Sequence, residues 1–316
     1  MNIKYIYRAL VSVLFVAVFS LMTACNTGIE STKTITLSKN ERKSLSPSPE
    51  EKVLEDIVAP PLSEWTPGIP FVISDDRAAV VFEYSAASDH AKPARLKGRK
   101  IYFKSLGQRI TPGGTPETII SFSDGTTTFN YPTGMSTDEA ASRINTMNVP
   151  MIIDLEIVKK VGDRLIGKTF WTKSALWYDM EGEKINGRKF VPVKIEDIKA
   201  GDMVFPFKIF VSDENGKNAI LYMNLINSGM ESRTFPAVFF VNDPKLKYPA
   251  ISQEVWDLIT RGLVAEGMTK EECKLSLGTP DDVNSGHDWN QTIDLWRYDN
   301  GMYLRFQDGI LTSFRM

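Results

Sequence analysis

Histidine and cysteine are almost missing from this chain, which holds two of each in 316 residues. His90 and His287 stand alone in polar stretches, with no second histidine at ligand spacing and no cysteine cluster, so no zinc-type site is read. His287, in Ser285-Gly286-His287-Asp288-Trp289, has neighbours that would suit a metal or a base, but it reads better as a solvated loop residue. Cys273 has no activating base in its helix and reads as a small buried residue rather than a nucleophile. Positive charge is not in excess either. Lys and Arg number 37 against 39 Asp and Glu, a balance that argues against a strongly basic nucleic-acid surface. Gly113-Gly114 follows Pro112 in a loop, without the strand-to-helix context that a phosphate cradle needs. Asp124, Asp213 and Asp282 fall at turns, where aspartate bonds local backbone. No nucleophile, base and orienting group come together. The expectation is a protein without enzymatic activity, catalytic residues, cofactor or metal.

A run of membrane-spanning length is lacking too. Ala9 to Ala24 is apolar and uncharged, but too short and too abruptly ended to span a bilayer. Behind Lys4 and Arg8 it suits a secretory signal over residues 1–24. It closes on Leu21-Met22-Thr23-Ala24-Cys25, which looks like a bacterial lipobox, with Met22 where Leu is commoner. The alternative is an ordinary cleaved signal in which Cys25 is incidental. The lipobox reading makes Cys25 the lipidation site and the membrane a partner through that lipid. With Cys25 lipidated, Cys273 has no cysteine to pair with.

Residues 25–70 are read as the lipidated cysteine and a flexible tether. Residues 26–50 are rich in Ser, Thr, Lys and Glu and free of aromatics, and Pro60, Pro61, Pro67 and Pro70 stiffen the end. Folded structure is expected from Phe71. Short β-branched or aromatic runs then predict strands at Ala78–Tyr84, Lys100–Lys104, Thr126–Tyr131, Thr169–Lys173 and Ala219–Asn224. Turn clusters at Ser123-Asp124-Gly125, Asn186-Gly187 and Glu214-Asn215-Gly216 separate them. Ser136 caps a helix expected to run through Met147, with Glu139 completing a capping box.

A repeat is visible here. Leu96-Lys-Gly98-Arg-Lys-Ile101-Tyr102 matches Leu165-Ile-Gly167-Lys-Thr-Phe170-Trp171. Further on, Phe122-Ser-Asp124 and its hairpin echo Val211-Ser-Asp213 and its hairpin. Two β modules, 71–158 and 159–250, are therefore expected, unless the two stretches merely share strand vocabulary.

The last segment, 251–316, carries the sharpest motif. Thr269 and Glu272 form a capping box, Gly278 ends that helix and Pro280 stops it. An upstream helix, Ser252 to Arg261, puts Val255, Trp256 and Ile259 on one face. Asn300-Gly301 is a hairpin signal between Thr292–Tyr298 and Met302–Phe306, and a further strand follows at Ile310–Phe314. Gly267-Met268-Thr269, Glu272, Leu277-Gly278, Pro280, Trp296, Tyr298, Gly309 and Leu311 follow one another as in the SmpA/OmlA (BamE-like) family of outer-membrane lipoproteins, which residues 252–316 resemble. That resemblance implies a two-helix plus three-stranded antiparallel sheet at the end of the chain. The expected fold is thus α+β, with one or two small antiparallel β modules ahead of a BamE-like domain. Known members are short, whereas a long β region precedes the motif here, and Cys273 replaces a small aliphatic residue. The same fold occurs in secreted enzyme-inhibitor proteins, so it does not define a function.

Binding is the better-supported activity. Trp171, Trp177 and Tyr178 cluster in the second module, and aromatics anchor interfaces. Core packing competes with that reading, most of all for Trp171. Trp177 and Tyr178 beyond the strand, and Trp289 in a polar stretch, are the candidate interaction residues. The resemblance and the lipobox together imply a periplasm-facing outer-membrane lipoprotein that binds or assembles an envelope protein, including a part in β-barrel assembly. The alternatives are a binder of peptidoglycan, glycan or peptide and, by fold analogy, a protein-type enzyme inhibitor.

Overall fold

The computed structural model describes residues 47–86, 95–225, 233–288 and 290–315. The signal, Cys25, His90, Met230 and Trp289 lie outside them. Order begins well before Phe71. Leu54 and Ile57 pack into one core, and Leu62 and Trp65 into another, so 48–70 is a buttress and not a tether. The Trp65 indole donates to Pro60 O at 3.1 Å and meets Phe103 edge-on at 5.2 Å. Apolar residues among the prolines supply burial that composition alone does not reveal.

The first sheet comprises β1 (Pro70–Ile73), β2 (Glu83–Ala86), β3 (Lys100–Ile110), β4 (Pro116–Ser123), β5 (Thr127–Pro132) and β6 (Ile152–Asp154). Two helices interrupt it, α1 (Ala78–Val81) and α2 (Thr137–Arg143). The strand expected at Ala78–Tyr84 is thus a helical turn followed by a strand. Asp75 and Asp76 carbonyls accept from the Ala78 and Ala79 amides and start that turn despite the β-branched pair. Ser136 does cap α2, but Glu139 pairs with Arg143 and the helix ends sooner than expected.

The second sheet follows α3 (Leu155–Leu165) and comprises β7 (Thr169–Thr172), β8 (Leu176–Tyr178), β9 (Lys184–Asn186), β10 (Pro192–Ala200), β11 (Phe207–Asp213), β12 (Asn218–Met223) and, after α4 (Phe235–Val238), β13 (Phe239–Phe240). The Asp154 carboxylate accepts from Glu156 N and Ile157 N and so starts α3. Ile157, Val158, Val161 and Leu165 recur at helical spacing and are buried against Phe170, Val193 and Ile209, each contributing about 1.5–3 kcal/mol of gross burial. The boundary expected at 158/159 falls inside this helix.

These two sheets share one topology. Their strand orders are β6-β1-β3-β4-β5-β2 and β13-β7-β10-β11-β12-β8, the second adding β9 outside β8. Register agrees residue by residue. Phe71 lies opposite Ile101, and Phe170 opposite Val193. Val72 lies opposite Ile153, and Trp171 opposite Phe240. A bulge interrupts β3 between Phe103 and Ser105 and β10 between Ile195 and Asp197. Phe122 meets Phe129 as Val211 meets Ala219. The hairpin half of the sequence repeat is therefore in step, whereas its first half is one strand out: Gly167 corresponds to Gly68, not Gly98. Gly68 N donates to Phe103 O and Gly167 N to Ile195 O, both at 2.8 Å.

The third sheet is a meander of β14 (Asp282–Asp288), β15 (Gln291–Arg297), β16 (Tyr303–Gln307) and β17 (Ile310–Arg315), covered on one face by α5 (Gln253–Thr260) and α6 (Lys270–Leu277). The expected fold, small β modules followed by a two-helix plus three-stranded domain, is thereby corrected. The chain is sheet-rich, with three antiparallel sheets of six, seven and four strands among the described residues. The unforeseen β14 is an edge strand whose side chains from Asp282 to His287 are exposed, so it needs backbone bonds but no apolar pattern.

The capping box of α6 is present, with Thr269 Oγ1 accepting from Glu272 N at 3.2 Å and Glu272 Oε2 from Thr269 N at 2.7 Å. Thr269→Ala is expected to cost about 1 kcal/mol in denaturant unfolding, and Glu272→Gln, which keeps the acceptor, distinctly less.

Candidate functional site

Of the residues singled out by sequence, Trp177 is a core residue. Only 2 % of it is exposed, its indole donates to Ser174 O at 3.0 Å, and it lies under Gly187. Its neighbour Tyr178 points the other way, because successive strand residues alternate faces. Tyr178 is half-buried on the outer face of the second sheet and meets Tyr222 edge-on at 4.9 Å.

Register builds a surface around it. Phe210 lies opposite Ile220, and Ile220 opposite Tyr178, which makes an apolar row across β11, β12 and β8 in which Ile220 is fully buried and the half-buried Phe210 and Tyr178 flank it. The adjacent row is Lys199, Lys208 and Tyr222. Lys199 Nζ sits 5.0 Å and Lys208 Nζ 5.4 Å from the centre of the Phe210 ring. At the open end Phe205 packs near Tyr222, and the Arg233 guanidinium lies 5.6 Å from the Phe205 ring. Arg233 also donates from Nε to Tyr222 O at 3.0 Å, which ties it to β12. Burial pushes the Tyr222 hydroxyl pKa up, and Asp202 adds to the shift. Val204 and Met180, at the neighbouring turns, are both exposed.

The first sheet presents different chemistry at the same places. Where the second has Phe210, Ile220 and Tyr178, the first has Ser121, Asn130 and Glu83 in the equivalent row. Ser121 Oγ donates to Asn130 Oδ1 at 2.8 Å, and Arg109 bridges Glu83 at 2.7 Å and Glu117 at 2.9 Å. That face is polar and closed by its own bonds. The topology therefore does not require aromatic residues on its outer face; the second sheet carries them in addition. Sequence reading found Tyr178 but missed Phe205, Phe210, Tyr222, Lys199 and Lys208. The alternation of buried Phe207, Ile209 and Val211 was the available signal, since it turns Lys208 and Phe210 outward.

The other candidates have structural partners. Cys273 is buried, and burial pushes its thiol pKa up to about 12, so it stays a thiol at neutral pH. His287 is exposed on β14, a strand and not the expected loop. Nearby, Asp294 accepts from Ser285 and pairs with Lys270, which tie the start of α6 to the sheet. Lys270 is the main cause holding the Asp294 carboxyl below its ordinary range, with Ser285 next. Among the described residues no three His, Cys, Asp or Glu side chains form a metal-holding group, and no helix is long and apolar enough to cross a membrane. Comparison with known protein families, with curated proteins and with solved structures yields no match.

Proposed function

We propose that this protein is a lipid-anchored binding factor of the cell envelope, held at the outer membrane through Cys25 and acting by docking rather than by chemistry. The observation that carries the reading is the contrast between two sheets of one topology: Phe210, Ile220 and Tyr178 against Ser121, Asn130 and Glu83. An aromatic pair that the shared fold does not need, Phe210 and Tyr178 on either side of the buried Ile220 and flanked by lysines, has the composition of a binding hot spot. The lipobox-like segment and the SmpA/OmlA resemblance supply the compartment and the class of role, including an assembly factor for outer-membrane proteins. The Tyr178 and Tyr222 rings stand 86° apart, so together they do not make the flat platform on which sugar rings stack. This geometry favours a protein partner over a glycan.

The test exchanges residues for those of the first sheet, which the topology already tolerates. Tyr178→Glu with Phe210→Ser is expected to lower recovery of co-purifying envelope protein from native membranes by about tenfold or more. Its melting temperature is expected to stay within a few degrees of wild type. Undiminished recovery would overturn the reading. Binding to insoluble cell wall that the same exchange abolishes would replace it with the cell-wall alternative.

A further inference from the structure

The face of the third sheet turned away from α5 and α6 carries a second, chemically different surface. Trp296, Leu304 and Phe306 point into the core beneath the helices, so their strand neighbours point out. Arg297 lies opposite Tyr303, and Tyr303 opposite Arg315, in one row across three strands. In the next row Leu295 lies opposite Arg305, and Arg305 opposite Ser313. Three exposed guanidinium groups thus share a face with Tyr303, which is 39 % exposed.

Most of the other arginines among the described residues are neutralised, Arg95 and Arg261 being in no ion pair but lying elsewhere, with Arg261 Nε donating to Asp257 O at 2.8 Å. Arg77, Arg99, Arg109, Arg143, Arg164 and Arg188 each pair with a carboxylate. Arg297, Arg305 and Arg315 are in no ion pair among the described residues. Asp282, opposite Arg297 at the sheet edge, accepts instead from Asn284 Nδ2 at 3.0 Å. Beside the arginines an open hollow of about 380 Å³ is lined by Leu295, Arg297, Tyr298, Gly301, Met302 and Tyr303.

We propose that this face docks an extended, acidic segment of a partner protein, with carboxylates on Arg297, Arg305 and Arg315 and one apolar side chain in the hollow beside Tyr303. Charge complementarity selects an acidic occupant, because the planar guanidinium fork matches a carboxylate with two parallel hydrogen bonds. Shape selects a protein segment over a bilayer surface. Membrane binding uses apolar side chains that project, whereas Leu295 and Met302 are half-buried in the walls of a depression. A strand-like segment presents alternate side chains to one side, at a spacing that matches the rows it would lie on. This contact is distinct from the aromatic face of the second sheet and does not depend on it.

The test uses the full-length protein in detergent and two probes, a fluorescent peptide whose alternate residues are Glu, Leu and Glu with Ser between them, and vesicles containing phosphatidylglycerol. The expected result is saturable peptide binding that weakens as salt rises and falls about tenfold or more in the triple variant Arg297→Gln, Arg305→Gln, Arg315→Gln. Met302→Trp, whose ring crowds the hollow and leaves the arginines and the charge of the face in place, is expected to weaken binding as well, and serves if the triple variant folds poorly. Tyr178→Glu with Phe210→Ser is expected to leave peptide binding unchanged, which separates this surface from the one above. Vesicle binding without peptide binding would overturn the proposal. So would peptide binding indifferent to both arginine and Met302 replacement, or no binding of either probe.

Discussion

Phe190→Ala is expected to destabilise the protein by about 2–4 kcal/mol and to release the C-terminal sheet from the second one. Phe190 is 8 % exposed and belongs to the third core, where it stacks on Phe240 at 5.8 Å and meets Trp256 edge-on at 5.8 Å. Removing such a ring costs about 3–5 kcal/mol when the cavity does not close. The backbone adds a strain that alanine, which keeps a Cβ, does not relieve. Phe190 has φ +56°, and its amide donates to Thr172 O, as the amide of Gly98, at φ +85°, donates to Ile73 O. The first sheet meets this left-handed position with glycine; the second holds it with an aromatic residue at about 1–2 kcal/mol of strain. Phe190→Gly is accordingly expected to be the milder change, more stable than Phe190→Ala by about 1 kcal/mol in denaturant unfolding. In both variants the connection at 241–252 is expected to be cut faster by protease. Equal stability of the two would show that the position carries no strain, and unchanged proteolysis would show that the ring is not the anchor.

Gly187→Ala is expected to be as damaging, by about 3 kcal/mol or more. A Cβ there would sit 2.2 Å from two Trp177 ring atoms and 2.7 Å from Ala175 O. Neither obstacle is the end of a flexible chain, and Gly187 N already bonds Ala175 O at 3.0 Å. The β8–β9 ribbon must open or Trp177 must leave the core, and an overpacked core does not absorb an intrusion of that size cheaply. Because Tyr178 is next in the strand, partner recovery is expected to fall together with the near-ultraviolet signal of Trp177. Gly107→Ala, with nothing within 4 Å of its Cβ, is the control that leaves both unchanged. A Gly187→Ala protein as stable as that control would disprove the close approach of ring and backbone.

What sequence reveals here depends on whether the deciding force is local. The α6 capping box and the hairpins at Ser123-Asp124-Gly125 and Asn300-Gly301 involve residues within a few positions of one another, and they are legible. The β14 strand is not, because its pairing depends on a neighbouring strand rather than on its own side chains. The repeat is half legible for a similar reason. Glycine followed by an apolar–aromatic pair occurs before both β3 and β7, and only the hydrogen-bond register shows that β7 corresponds to β1. Trp177 and Tyr178 make the same point for the site. Sequence offers them as a pair, yet a strand sends adjacent residues to opposite faces, so only one of the two can face a partner.

The plug formed by Phe190 has one more consequence. By seating the third core against the second sheet it fixes the spacing between the aromatic face and the arginine face. A partner long enough to touch both would meet the second at a high effective concentration once the first is engaged. Two weak contacts would then behave as one strong one, with avidity above either by about 10²–10⁴ and without a new bond. Loosening the plug would forfeit that gain while leaving each contact intact on its own.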